Sequence, residues 1–252
     1  MSMAAGMRRL GLLGPRLASV CSCAGSVAAA CLLLAGCAGT TTQRQAVSRA
    51  LVTDDGRQVV VPVDASCVQR SVLTAVETTS RVTLVLKQIF SGGNCALVFV
   101  VGTTAVVLRH PLSGRGLVDG TSGHRIPYFD GRKLPRVTYL PAGYRFTYYF
   151  PAAAGGWERR FVSSDQTAGL LNVVQTPGSA AVFPAWPVQF RTQVDGHPAT
   201  VQIGSGTGQV YGRAISWAAE GYTFTVDSQI KLGGQQPLGV AALTHIAAGL
   251  RP

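Results

Sequence analysis

From residue 51 to about residue 130 the chain alternates apolar and polar positions in short runs, the period of half-buried strands. Residues 81–87 are the cleanest case: Val82, Leu84 and Leu86 fall on one face, Thr83, Val85 and Lys87 on the other. Val59-Val60-Val61 and residues 72–78 are further strand candidates. Residues 95–101 are apolar throughout, as in a strand covered on both faces, and 104–109 follow, with Gly102 read as a turn or bulge. Pro111, Gly114, Gly116, Asp119-Gly120 and Gly123 then cut the chain into short extended pieces. Short strands with regular turn signals predict a small β-sandwich over 51–132.

Residues 133–141 read as a boundary, an exposed linker with Pro135 and Pro141 flanking a short extended piece. Beyond it, alternation puts Tyr144, Phe146, Tyr148 and Phe150 on one strand face and Arg145, Thr147 and Tyr149 on the other. Residues 169–176 form another strand candidate, and 188–194 and 199–203 flank Asp195-Gly196, a hairpin signal. Ile215 and Trp217 share a strand face, as do Tyr222, Phe224 and Val226 after Gly221. Residues 238–250 predict a helix: Pro237 suits its first turn, and Val240, Leu243, Ala247 and Leu250 make an apolar stripe. The predicted fold class is mainly β with an α+β C-terminal part. A small disulfide-bonded β-sandwich over 51–132 precedes an antiparallel sheet closed by a C-terminal helix over 133–252, and the second module is expected to fold alone.

The first 36 residues have another texture. Arg8, Arg9 and Arg16 precede an apolar run from about residue 17, and Leu34-Ala35-Gly36-Cys37 ends it. This is the order of a lipoprotein signal peptide, 1–36. Small residues before the cleaved bond fit a narrow peptidase groove, and the Cys37 thiolate accepts a diacylglyceryl group. Cys31, after Ala28-Ala29-Ala30, is a poorer match. An uncleaved apolar anchor is the other reading of a run this long, and Arg8-Arg9 hints at twin-arginine export. Two or more acyl chains, such as palmitate, anchor stably, so the expected location is the outer face of the cell membrane. Residues 37–50, with Thr40-Thr41-Thr42-Gln43, read as a flexible tether.

Export changes how the rest is read. Of the net charge of +11, the signal carries Arg8, Arg9 and Arg16, leaving +8 on the mature part. Nucleic acid is not an expected partner; anionic lipid heads or wall polymers suit the charge better, but the arginines are scattered and read first as keeping the surface soluble. Cys67 and Cys95 are an even pair in an oxidising compartment and predict a disulfide. It would close a loop of roughly 28 residues, worth roughly 3–4 kcal/mol.

Catalytic chemistry is sparse. His110, His124, His197 and His245 lack metal-ligand spacing, and there is no Cys-x-x-Cys. Gly204-Ser205-Gly206-Thr207-Gly208 has no Walker lysine, and no nucleophile elbow occurs. No cofactor, no metal and no enzymatic activity are expected. The aromatics give the candidate ligand- or partner-binding residues: Tyr144, Phe146, Tyr148, Trp186 and Phe190. The expected function is a non-catalytic binding, sensing or envelope-maintenance module, partnered by the membrane through Cys37 and by an envelope protein or apolar ligand. A carrier of a lipid or other apolar ligand is the alternative. An envelope hydrolase is a further one, because a carboxylate pair is invisible in sequence.

Tyr139-Leu140-Pro141-Ala142-Gly143-Tyr144 resembles the "yLPeGy" opening of an uncharacterised extracytoplasmic domain of Gram-positive lipoproteins and of the outer regions of anti-sigma factors. The Asp195-Gly196 hairpin, Ile215-Ser216-Trp217, Gly221-Tyr222-Thr223-Phe224 and Ile246-Ala247-Ala248-Gly249-Leu250 fit the same domain. Ala142 stands where the family has an acidic residue. Val106-Val107-Leu108-Arg109-His110-Pro111-Leu112 and Arg115-Gly116-Leu117-Val118-Asp119 are similar to a segment of actinobacterial lipoproteins with paired cysteines. Neither resemblance implies catalytic residues.

Overall fold

The computed structural model describes residues 40–66, 68–90, 100–164, 169–178, 186–205, 210–231 and 237–251. The first half forms β1 (Thr41–Gln45), β2 (Ala50–Val52), β3 (Gln58–Asp64), β4 (Val68–Glu77), β5 (Arg81–Phe90), β6 (Val101–Val107), β7 (Gly116–Asp119) and β8 (Tyr128–Asp130). One sheet runs β1-β5-β4, with β7 added parallel to β5; the other runs β6-β3-β2-β8, with β8 parallel to β2. Val82, Leu84 and Leu86 of β5 share a core with Val59, Val61 and Val63 of β3. The alternation read over 81–87 is the one observed.

The second half forms β9 (Arg136–Val137), β10 (Tyr144–Pro151), β11 (Trp157–Ser163), β12 (Leu170–Pro177), β13 (Val188–Val194), β14 (His197–Ser205), β15 (Val210–Ala219), β16 (Tyr222–Lys231), α1 (Val240–Ala248) and β17 (Leu250–Arg251). An antiparallel sheet runs β10-β11-β12-β16-β15-β14-β13. Helix α1 lays Leu243, Ile246 and Ala247 on Val173, Val201, Ile215 and Val226. The protein is mainly β, with several antiparallel sheets and a C-terminal helix. No helix among the described residues is long and apolar enough to cross a membrane.

Helix α1 is shorter than the sequence predicts. The Gly249 N–H bonds to the carbonyls of His245 and Ile246, at 3.1 and 3.0 Å, and ends it. Leu250 then pairs with Val137, so β17 ties the chain's end to β9. The 139–144 motif is a turn leading into β10: Gly143 has φ +86°, and the Tyr144 N–H bonds to the Pro141 carbonyl.

Four expectations change. The tether read over 37–50 contains β1, which pairs antiparallel with β5 from Thr41↔Phe90 to Gln45↔Leu86. Its Thr/Gln-rich backbone satisfies an edge of that sheet. Gly102 lies inside β6, opposite Val63. The linker read near Lys133 is anchored at buried points between exposed residues: Leu134 is 1% exposed, and a Cβ on Gly131 would sit 2.5 Å from the Val52 carbonyl. Alternation also fails in β10, where a bulge at Thr147 shifts the register between Phe146↔Phe161 and Tyr148↔Arg160.

The two halves meet in a shared core of Leu51, Val60, Leu134, Tyr149 and Trp157. Strand β3 is therefore buried on both faces. Val59 and Val61 point into the first core, and Val60 into the shared one. Cys37, Cys67 and Cys95, and with them the strand read from 95, lie outside the described residues, apart from Val100 and Val101.

Two motif residues have structural tasks. Glu77 accepts from the Arg109 N–H at 2.7 Å and the Arg115 guanidinium at 2.9 Å; Arg115 also donates to the His110 and Pro111 carbonyls. The buried Asp119 carboxylate accepts from the N–H groups of Val47 and Ser122 and the Ser122 hydroxyl.

Candidate functional site

Two hairpin turns sit at one end of the second sheet. Asp195-Gly196 closes β13–β14 with φ of 47° and 81°, and Glu220-Gly221 closes β15–β16 with φ of 53° and 78°. Left-handed geometry at both central residues matches the twist of the strands they join. A pocket of about 400 Å³ opens beside them.

Its floor is aromatic. Trp217 and Phe224 are register partners across β15 and β16, with centroids 5.6 Å apart and planes at 22°. Tyr222 lies two residues before Phe224, at 6.3 Å between centroids. Ala247 of α1 and Leu250 of β17 add apolar wall. Gln175 of β12, 2% exposed, lines the inner side, and its Oε1 has no hydrogen-bond partner among the described residues.

The rim carries both signs of charge. Arg132 and Lys133 come from the connection after β8, Asp195 and His197 from the first turn, Glu220 from the second, and Arg251 from β17. Arg132 is held by Asp130 through Nη2–Oδ2 at 2.6 Å and by Nε to both carboxylate oxygens. Those bonds keep the Asp130 carboxyl below its ordinary range. Arg251 lies 3.7 Å from Asp195 and donates to the Ala248 and Leu250 carbonyls. Lys133 and Glu220 enter no ion pair among the described residues. Four separate elements thus converge on an apolar floor with exposed donors and acceptors around it.

The opposite face of the same sheet carries a buried polar group. Glu158 bonds Arg160 at 2.6 Å. The Arg160 guanidinium lies 3.8 Å over the Phe150 ring and donates to the Tyr148 hydroxyl at 3.1 Å. Asp227, 1% exposed, accepts from Asn172 at 3.0 Å and Gln229 at 2.7 Å. Burial, and then the neighbouring Glu158 carboxylate, push the Asp227 carboxyl up to about 7. Glu158 is also raised by burial, with Arg160 opposing. Asp227 and Glu158 are buried, whereas Tyr148, at the end of the group, is 37% exposed.

None of the five aromatics predicted from sequence lines the pocket. The bulge splits the face on which Tyr144, Phe146 and Tyr148 were expected together. Phe146 stays near Tyr149, at 4.9 Å, and near Phe161, at 5.9 Å, whereas Tyr148 turns with Phe150 to Arg160. Tyr144 packs against the core under α1. Trp186 lies flat over the register pair Gly204↔Gly212, where any Cβ would strike its ring. Phe190 is exposed on the edge strand β13. Among the described residues no three His, Cys, Asp or Glu side chains gather as a metal requires.

The pocket residues had a partial signal in the sequence. Trp217, Tyr222 and Phe224 were legible as same-face residues on strands flanking Gly221. Nothing local marks Gln175, Lys133 or Arg251, which reach the site only through the order of strands. No protein-family model, curated protein or solved structure matches the chain.

Proposed function

We propose that this chain is a lipoprotein of the outer membrane face, attached through Cys37, whose folded part recognises a small ligand without transforming it. The pocket over Trp217 and Phe224 carries the reading. It combines a rigid apolar floor with donors and acceptors from separate elements, the makeup of a recognition site. A sensing or envelope-maintenance role fits such a site. The lipid-carrier alternative calls for an enclosed apolar cavity, and the charged rim of Arg132, Lys133, Asp195 and Glu220 does not suit an acyl chain. In the same reading Cys67 and Cys95 are joined in a disulfide that staples the two-sheet first half as a sandwich. The second half is a divergent form of the lipoprotein domain that its 139–144 turn, hairpin and terminal helix resemble.

The test is mass spectrometry of the full chain expressed in a Gram-positive host and purified from its membranes. The reading expects a diacylglyceryl-modified Cys37 at the N-terminus, no free thiol at Cys67 or Cys95, and a co-purifying small molecule whose occupancy falls in Trp217→Ala. An N-terminus at Met1 or Met7 on the dominant species contradicts the lipoprotein assignment. A ligand retained in Trp217→Ala contradicts the pocket.

A further inference from the structure

We infer that the pocket takes a saccharide, with one ring laid on Trp217 and Phe224. This rests on the recognition reading above and names its ligand class.

Three observations select this chemistry. The floor is aromatic and apolar: Trp217 and Phe224 stack on each other, 5.6 Å apart at 22°, with Tyr222 beside Phe224. A pyranose ring presents a face of C–H groups that covers such a surface. A second feature is the mixture at the rim. Lys133 and Arg132 are donors, and Asp195 and Glu220 are acceptors. A fatty acid or simple organic anion uses the cations and leaves the carboxylates facing it. A ring of hydroxyls, each both donor and acceptor, satisfies either sign. The third is Gln175. Its Oε1 is buried without a partner, a loss of free energy that a donor at the inner wall removes. Gln175 is among the residues that line the pocket, and a sugar hydroxyl or acetamido N–H seated there supplies the proton it lacks. An acyl chain has none to give.

The experiment is isothermal titration of the processed full chain in a non-glycosidic detergent. The probes are maltose, cellobiose, trehalose and N,N′-diacetylchitobiose, with sodium decanoate as the apolar anion. The inference expects saturable binding of at least one disaccharide. Trp217→Ala should weaken it by about tenfold or more, the effect of one lost aromatic surface. Glu220→Gln, at an exposed turn that tolerates the change, should also weaken it while leaving the melting temperature unchanged, so a folding defect in Trp217→Ala cannot hide the result. Decanoate binding sensitive to Trp217→Ala, with all four disaccharides silent, overturns the saccharide and leaves the recognition pocket standing. Silence of every probe, in a protein that also co-purifies with nothing, overturns both.

Discussion

The guanidinium of Arg49 lies 5.9 Å above the ring of Trp157, so a residue just before β2 caps a side chain of β11 across the two halves of the fold. Arg49 also donates to the Ala152 carbonyl at 3.4 Å, and the Thr103 hydroxyl to the Tyr149 carbonyl at 3.3 Å. Beneath these contacts Trp157, Tyr149, Leu51, Val60 and Leu134 form the shared core.

The two halves should therefore unfold together. Trp157→Ala, at 1% exposure, should cost about 3–5 kcal/mol. Urea unfolding of the parent protein, followed by far-ultraviolet dichroism and by tryptophan fluorescence, should give coincident transitions. A chain starting at residue 134 should lose cooperative unfolding, because it exposes Tyr149 and Trp157. Independent, well-separated transitions would contradict the shared core.

Asp119 and Asp227 are each 1% exposed, yet they should titrate in opposite senses. Burial raises the Asp119 carboxyl, but hydrogen bonds from Ser122, Val47 and Thr121 outweigh it and hold the group below its ordinary range. Its contribution to stability is present above the unfolded-state value of about 4 and is lost as pH falls through the lower folded value. Asp227, raised to about 7, favours folding most when protonated in both states. That contribution declines as pH rises from about 4 to about 7, by up to about 4 kcal/mol. Asp227→Asn should stabilise the protein at pH 8 relative to the parent and flatten this decline. Melting curves from pH 4 to 8 check the sign, and equal slopes in both proteins would refute it.

Trp186 should report on two glycines. A Cβ at Gly212 would lie 2.4 Å from its ring, and one at Gly204 2.8 Å. Gly212→Ala should cost about 1–3 kcal/mol through overpacking and shift Trp186 emission to the red. Combining it with Trp186→Ala should cost less than the sum of the two changes. Additive effects would place the indole elsewhere.

Much of this fold was legible in the chain, because strand period and turn chemistry are local. The alternation at 81–87 gave the inward face of β5, and Asp195-Gly196 gave a hairpin. The run Val59-Val60-Val61 was legible as a strand candidate, without showing that both its faces are buried or that Leu51, Trp157 and Tyr149 join Val60. The bulge at Thr147 had no signal: one extra residue leaves the aromatic spacing intact and reverses the faces of Tyr148 and Phe150. Asp227 had no signal either: it is buried and accepts a hydrogen bond from Asn172 across β12 and β16. The pocket was least legible, since Lys133, Gln175, Trp217 and Arg251 meet only through strand order and the return of β17.

The most direct test of the recognition pocket uses the three tryptophans, Trp157, Trp186 and Trp217, as nuclear magnetic resonance probes. Their indole N–H signals, assigned by single substitutions, are followed while the full chain in a non-glycosidic detergent is titrated with a small-molecule extract of its host's envelope. The account predicts a saturable shift of the Trp217 signal, with Trp157 and Trp186 unmoved because they lie in the shared core and on the far side of the sheet. An unchanged Trp217, or equal shifts at all three, would contradict it.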